Sequence, residues 1–329
     1  VTIAGPLLIA ALLAVSVLHL ASGAMPVPPG EVIAALFSYD SGNFSHVIVV
    51  KQRLTRLAVA LYCGGALAVS GLLMQRVFRN GLVSPSTLGV NSGATAFVVL
   101  SVFFLGASGG ALFLPALAGA LLALALTFAT AGLLRGQGDP RLNLVLAGSM
   151  VGVLFSSATT LVLSFDPDRF ENVISWLIGD IGNFDYRELR LMAPLGAVAM
   201  AAALAVCRAI DLLALGDEQA AVMGGHVRLI AGSALGVALI LSVSAVVVVG
   251  PIGFVGLILP HATRLIAGEF GRGPLLFCAG GGALAVTAAD LAARTMAAPK
   301  VLNVGSVMGL AGGAAFLVLV LATARRVAR

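Results

Sequence analysis

Residues Leu229–Thr263 read LIAGSALGVALILSVSAVVVVGPIGFVGLILPHAT, without a single Lys, Arg, Asp or Glu. A bilayer-spanning helix needs ~20 predominantly apolar residues. This run is longer than one span and too short for two complete ones. Gly250, Pro251 and Gly253 interrupt it, and each breaks a regular helix. The reading is one full span, a bend, and a shorter helix ending near Arg264. That decides the class: an all-α, polytopic membrane protein.

The same pattern extends in both directions. The chain has 329 residues, 60% hydrophobic and 10% charged, with mean hydropathy +1.08. Soluble domains average about 25% charged residues. Charges cluster here, and the gaps between clusters match bilayer widths. Further spans are expected at Pro6–Ala24, Leu57–Gln75, Ser86–Leu105, Ala111–Leu134, Leu142–Phe165, Leu191–Cys207, Pro274–Ala289 and Val301–Ala324. With the two helices of Leu229–Thr263, these make about ten spans in a single transmembrane domain, 1–329. A surface helix is expected from Glu31 to Phe37, and Trp176 is read as an interfacial anchor. An even count puts both termini on one side. The modest majority of the 19 Lys and Arg residues favours the cytoplasm for that side. The net charge of +5 is therefore a topology signal for a chain embedded in membrane lipid, not a nucleic-acid footprint.

Several chemistries are excluded. Lys51 precedes Gln52 and Lys300 precedes Val301, so neither is the lysine of a GxxxxGK[ST] phosphate loop. The chain cannot be a P-loop ATPase by itself. Cys63, Cys207 and Cys278 fall inside apolar runs, with neither metal-ligand nor disulfide spacing. The four histidines are dispersed, and no catalytic or metal cluster emerges. Ion-coupled carriers place ionisable residues mid-span; these spans are nearly bare, with Asp290 and His19 near span ends. A stand-alone carrier is the alternative this disfavours.

Three stretches remain as candidate sites. Asp211–Arg228 is too polar for lipid and too short for a domain. It suits one or two short cytoplasmic helices held by a soluble partner, the bland alternative being a connecting loop. In the fifth span Ser149, Gly152, Ser156 and Thr160 recur at i, i+3, i+7, i+11. They form either a small-residue packing seam or the wall of a wide path for a bulky, largely neutral solute. Pro251–Arg264 holds two prolines, with His261 and Arg264 at its end; His261 alone reads more readily as structural than as a ligand. GxxxG spacings at Gly148–Gly152, Gly232–Gly236, Gly305–Gly309 and Gly309–Gly313 indicate a tightly packed bundle.

Gly250–Arg264, reading GPIGFVGLILPHATR, closely resembles the signature of the FecCD-type permeases, the membrane subunits of ABC importers for ferric siderophores, haem and vitamin B12. Similar to the family too are Arg53-Leu54-Thr55-Arg56 with Gly65–Gly71 and Gln75, Arg79-Asn80 through Leu88-Gly89, Trp176-Leu177-Ile178-Gly179, and Leu215–Gly224. The resemblance implies a vitamin-B12-importer-permease-like fold in the bacterial inner membrane. It implies a second permease copy, as a homodimer, with the solute path between the copies. Two ATP-binding subunits would hold the ATP and Mg, this chain binding no cofactor itself. They would couple through the segment matching Leu215, Gly216, Asp217, Glu218, Gln219, Ala220, Met223 and Gly224. A periplasmic substrate-binding protein would meet Arg53, Arg56 and Arg294. Asn80, Ser84, Pro85, Pro260, His261 and Arg264 would form the cytoplasmic gate region. The implied cargo is an iron chelate, haem or a ferric siderophore, with cobalamin as the alternative. The chain departs from the family pattern at Thr55 and Gly81, where proline is usual, at Val301-Leu302-Asn303 for Glu-Leu-Pro, and at Ala314 for a proline.

Overall fold

A computed structural model describes residues 3–23, 25–134, 136, 138–166, 171–182, 187–213, 222, 226–298 and 300–327, with backbone alone at 171–172, 319–320 and 322–327. Among these residues every regular element is helical. Helix α1 is Ala4–Ala21 and α2 is Pro29–Phe37. The short α3, Phe44–Val47, runs through a π-helical turn, Ile48–Arg53, into α4, Leu54–Phe78. Then come α5 (Val90–Leu105), α6 (Phe113–Leu133), α7 (Pro140–Phe165), α8 (Glu171–Leu177) and α9 (Arg187–Leu213). The run Leu229–Thr263 resolves into α10, Val227–Val249, and α11, Val255–Ala267. Helices α12, Arg272–Thr295, and α13, Val304–Val327, complete the bundle. Seven helices among the described residues are long and apolar enough to cross a membrane, and three shorter apolar ones, Val90–Leu105, Val255–Ala267 and Val304–Val318, supply the remaining expected spans.

Helix α4 is the post of the bundle. Its residues from Thr55 to Arg76 are buried almost without interruption, whereas in α1 only His19 and Leu20 are buried. Helices α9, α10, α11 and α12 all pack on α4. What lets them come so close is the absence of side chains at the crossings. A Cβ on Gly64 would strike the carbonyl of Gly282, and one on Gly71 would strike the carbonyl of Gly256. Gly93 and Gly119 perform the same service between α5 and α6. The GxxxG spacings are a poorer guide: Gly232, Gly236 and Gly309 have nothing within 4 Å of an added Cβ.

Local chemistry sets the helix ends. Asp139 caps α7, its Oδ1 accepting from the Arg141 N–H at 2.8 Å, and Pro140 occupies the first turn, where no donor is needed. Arg79 ends α4 in the left-handed region at φ 48°. Asn80 then accepts from Leu82 N at 3.0 Å through its own side chain, an Asx turn that sends the chain towards α5. Gly250 ends α10 at φ +78°, and a Cβ there would collide with the Trp176 carbonyl. Trp176 thus packs on the main core beside that bend.

Candidate functional site

Polar side chains gather at three places: one at each end of α4, and one along α7. The first lies where α1 ends, α4 begins and α12 ends. Asp290, fully buried, is its hub. Arg56 approaches with Nη2 at 2.6 Å from Oδ1 and Nε at 3.2 Å, a forked, charge-assisted pair. His19 Nε2 lies 2.7 Å from Oδ2. Because a carboxylate only accepts, Nε2 carries the proton in that bond. Arg294, one helical turn beyond Asp290, places Nε 3.2 Å from Oδ2.

Among the described residues Arg53 has no carboxylate partner. Its guanidinium donates to the carbonyls of Leu20 (2.7 Å), Ala21 (2.9 Å) and Met25. Arg294 donates to the carbonyls of His19 at 3.1 Å and Ser22 at 3.3 Å. Most of these carbonyls lie at or just beyond the last turn of α1, where the helix dipole favours a cation. The three arginines expected at an external docking face are thus gathered in one cluster and turned inward, 3%, 4% and 6% exposed for Arg53, Arg56 and Arg294. The π-helical turn before α4 contributes by adding a residue to the turn that carries Arg53. Asp290 and His19 were the residues that sequence reasoning undervalued. The i, i+4 spacing of Asp290 and Arg294 was the available signal.

The second place is the opposite end of α4. Arg76 Nη1 lies 3.0 Å from Asp211 Oδ1 and 3.3 Å from Cys207 Sγ, and Nη2 donates to the Glu269 carbonyl. Asp211 Oδ2 accepts from Gly271 N at 2.7 Å, which ties the end of α9 to the α11–α12 turn. A cleft of about 450 Å³ opens beside this network, lined by Gln75, Arg76, Arg79, Arg141 and Arg264 among others. Of the expected gate residues, Asn80 and Arg264 line it. Arg264 Nη2 reaches His261 Nδ1 at 3.3 Å. Ser84 and Pro85 are buried in a turn closed by Thr87, whose Oγ1 accepts from Ser84 N at 2.8 Å. Pro260 is buried within α11. A Cβ on Gly81, one of the family departures, would lie 3.0 Å from Arg264 Nη2, so the small residue leaves that guanidinium room. Two other stretches that depart from the family pattern are also tied into the fold. Thr55 Oγ1 donates to Lys51 O at 2.8 Å, and Leu302 N bonds the Ala293 carbonyl at 2.9 Å. The expected coupling residues, Leu215, Gly216, Asp217, Glu218, Gln219, Ala220, Met223 and Gly224, lie outside the described residues.

The third place is an open furrow of about 700 Å³ along α7. Ser149, Gly152, Ser156 and Thr160 all line it, joined by Ser92 of α5 and by Ser86, Ser157 and Ser164. Among the described residues no charged side chain takes part. The hydroxyls donate locally: Ser149 to Val145 O at 2.9 Å, Thr160 to Ser156 O at 3.0 Å, and Ser156 to Ser92 Oγ at 3.4 Å. Their remaining lone pairs can accept from a solute or water. Helix α7 presses closely on the turn that precedes α5, since a Cβ on Gly148 would meet the Thr87 carbonyl. Gly152 continues that seam, while Ser149, Ser156 and Thr160 are exposed, so a packing seam and a polar wall share one helix.

No group of three His, Cys, Asp or Glu among the described residues could hold a metal ion. The polar side chains grip, space and connect helices.

Similarity to known proteins runs the length of this architecture. The model of the FecCD transport family matches residues 11–322. The Fe(3+)-citrate import system permease protein YfmD of Bacillus subtilis (strain 168) is 35% identical over 302 residues, covering 92% of this chain and 89% of that one. The Fe(3+) dicitrate transport system permease protein FecD of Escherichia coli (strain K12) is 34% identical over 309 residues, covering 93% and 94%. Among solved structures, a chain described as an inward-facing metal-chelate type ABC transporter superposes with a TM-score of 0.78 at 25% identity, covering 95% of this chain and 97% of that one. The chain therefore belongs to the FecCD transport family, and it is a multi-pass, non-catalytic permease subunit of an ABC transporter.

Proposed function

We propose that this permease carries an iron(III) chelate of the citrate or siderophore class inward across the bacterial inner membrane. The observation that carries the reading is the furrow on α7: about 700 Å³, hydroxyl-lined and, among the described residues, without a charged side chain. A bare metal ion would need fixed carboxylate, imidazole or thiolate ligands. A chelate arrives with its metal already saturated and needs only a wide surface that holds it loosely. The relatives named for Fe(3+)-citrate and Fe(3+)-dicitrate import support the same cargo class.

The furrow is open on one side, and Met150, Val153 and Leu154 of α7 stand exposed beside it. A second copy of the chain, in a homodimer, would close it into a path. The Arg76 end is assigned to the cytoplasm together with both termini. Residues 215–224 would there receive two ATP-binding subunits, which hold the ATP and Mg. ATP shifts the permease only insofar as it binds one arrangement of the dimer better than the other. Asn80, Ser84, Pro85, Pro260, His261 and Arg264 form the gate region at this end. The Arg56 end would receive the substrate-binding protein. Because Arg53, Arg56 and Arg294 are engaged by Asp290 and by carbonyls of residues 19–25, their role in docking is to shape that face and to lend it a net positive field.

The test is uptake of radiolabelled ferric citrate and of a ferric hydroxamate into ATP-loaded proteoliposomes holding this permease, the ATPase and the binding protein. Uptake that requires all three components, and falls at least about tenfold when Ser156→Trp fills the furrow, is the expected result. Uptake by the permease alone, or an unaffected Ser156→Trp variant, overturns the proposal.

A further inference from the structure

The cleft at the Arg76 end holds more donor capacity than its neighbours use. Among the described residues, Arg264 and Arg141 have no carboxylate within ion-pair distance, and Arg76 shares Asp211 with the Gly271 N–H. Among the described residues the acids facing the cleft are Asp211 and Glu269, so its arginines outnumber its carboxylates. Two buried polar atoms of its wall also lack partners: Arg76 Nε, a donor, and Gln75 Oε1, an acceptor. Both residues are more than nine-tenths buried. The orientation of the Gln75 amide is fixed from its other end, where Nε2 donates to Leu257 O at 3.1 Å. A carbonyl can only accept, so the nitrogen must face it and the oxygen is the free end.

A ligand in the cleft that carries both functions matches this unmet donor and this unmet acceptor. A carboxylate offers acceptors alone. A protonated phosphate, or a phosphodiester with an adjacent hydroxyl, offers anionic oxygens to guanidinium groups and an O–H to the glutamine. We propose that the cleft formed by Gln75, Arg76, Arg141 and Arg264 binds a phosphate-class oxyanion, supplied by an anionic phospholipid headgroup or by free phosphate. Bound there, the anion bridges α4, α7 and α11 across the cleft. Only the sidedness of this site, not its chemistry, rests on the orientation proposed above.

The experiment uses the full chain in a neutral detergent after exhaustive delipidation. Inorganic phosphate and phosphatidylglycerol are titrated separately, followed by native mass spectrometry and by the thermal unfolding midpoint, with chloride at matched ionic strength as control. Saturable binding should weaken about tenfold in Arg264→Gln, the loss of one charge-assisted bond. Arg141→Gln, at an exposed position that leaves the fold intact, should weaken it in the same direction. Arg272→Gln, at the same end but outside the cleft, should leave it unchanged. Binding of phosphate with no preference for the lipid identifies a free anion; retention of phosphatidylglycerol with no response to phosphate identifies a headgroup. No saturable binding of either, or equal loss in Arg272→Gln, overturns the proposal.

Discussion

The two ends of α4 handle the same problem, arginine near the membrane, in opposite ways. At the Arg56 end every guanidinium is folded inward and spent: Asp290 takes Arg56 and Arg294, and the end of α1 takes Arg53. At the Arg76 end a single buried pair with Asp211 stands beside an open cleft of about 450 Å³, where Arg264 is only half-buried. A sealed ionic cluster is rigid, because removing any member strands the others in low dielectric. An open one can exchange partners at little cost. The first design suits a fixed platform; the second suits an end whose helices must move against each other.

That contrast can be attacked from its strongest point downward. Asp290→Asn keeps the shape of the hub and removes its charge, leaving three buried arginines facing one another. It should cost about 3–5 kcal/mol, read from the unfolding midpoint in detergent. A loss under about 1 kcal/mol would show that water reaches the cluster, and the distinction between the ends would dissolve. Asp211→Asn should cost less, about 1–3 kcal/mol, because the amide oxygen can still accept from Gly271 and the carboxylate is 18% exposed already. Equal losses at Asp211 and Asp290, in the same assay, would mean the two ends are equally sealed. Arg264→Gln, bonded only to His261 among the described residues, should shift stability by no more than about 0.5 kcal/mol. A larger loss would convert the open cleft into a structural cluster. In the sealed cluster, Arg53→Lys should also be measurably destabilising, since a single ammonium on a thinner stem cannot span the carbonyls of Leu20, Ala21 and Met25 as a guanidinium does.

The furrow on α7 was the part of the candidate site most legible beforehand. Ser149, Gly152, Ser156 and Thr160 share a helical face by spacing alone, and the structure sets all four along one surface. The arginines were legible as a group but not in their orientation. Arg53, Arg56 and Arg294 stand near the ends of apolar helices, which by sequence looks like an accessible rim. Only the arrival of Asp290 from α12, and of carbonyls from the end of α1, makes burial affordable. Glycine was the least legible. Gly232 and Gly236 have the favoured spacing and touch nothing, whereas Gly64 and Gly71 meet helices far away in sequence, at Gly282 and Gly256. A seam is a property of two helices, and spacing within one of them says only that a seam is allowed.

By itself the sequence determined that this chain lives in a bilayer, how many apolar helices it builds, and where they break. Those outcomes follow from local facts: the cost of exposing charge to hydrocarbon, and the inability of Gly-Pro-Ile-Gly to continue a helix. Tertiary structure alone decided which buried charges face each other, which glycines carry helix crossings, and which end of α4 is left open. Each of these depends on pairing residues tens to hundreds of positions apart, and in lipid no hydrophobic force ranks those pairings. Close fit and matched polar groups rank them instead, and both exist only once the helices are in place.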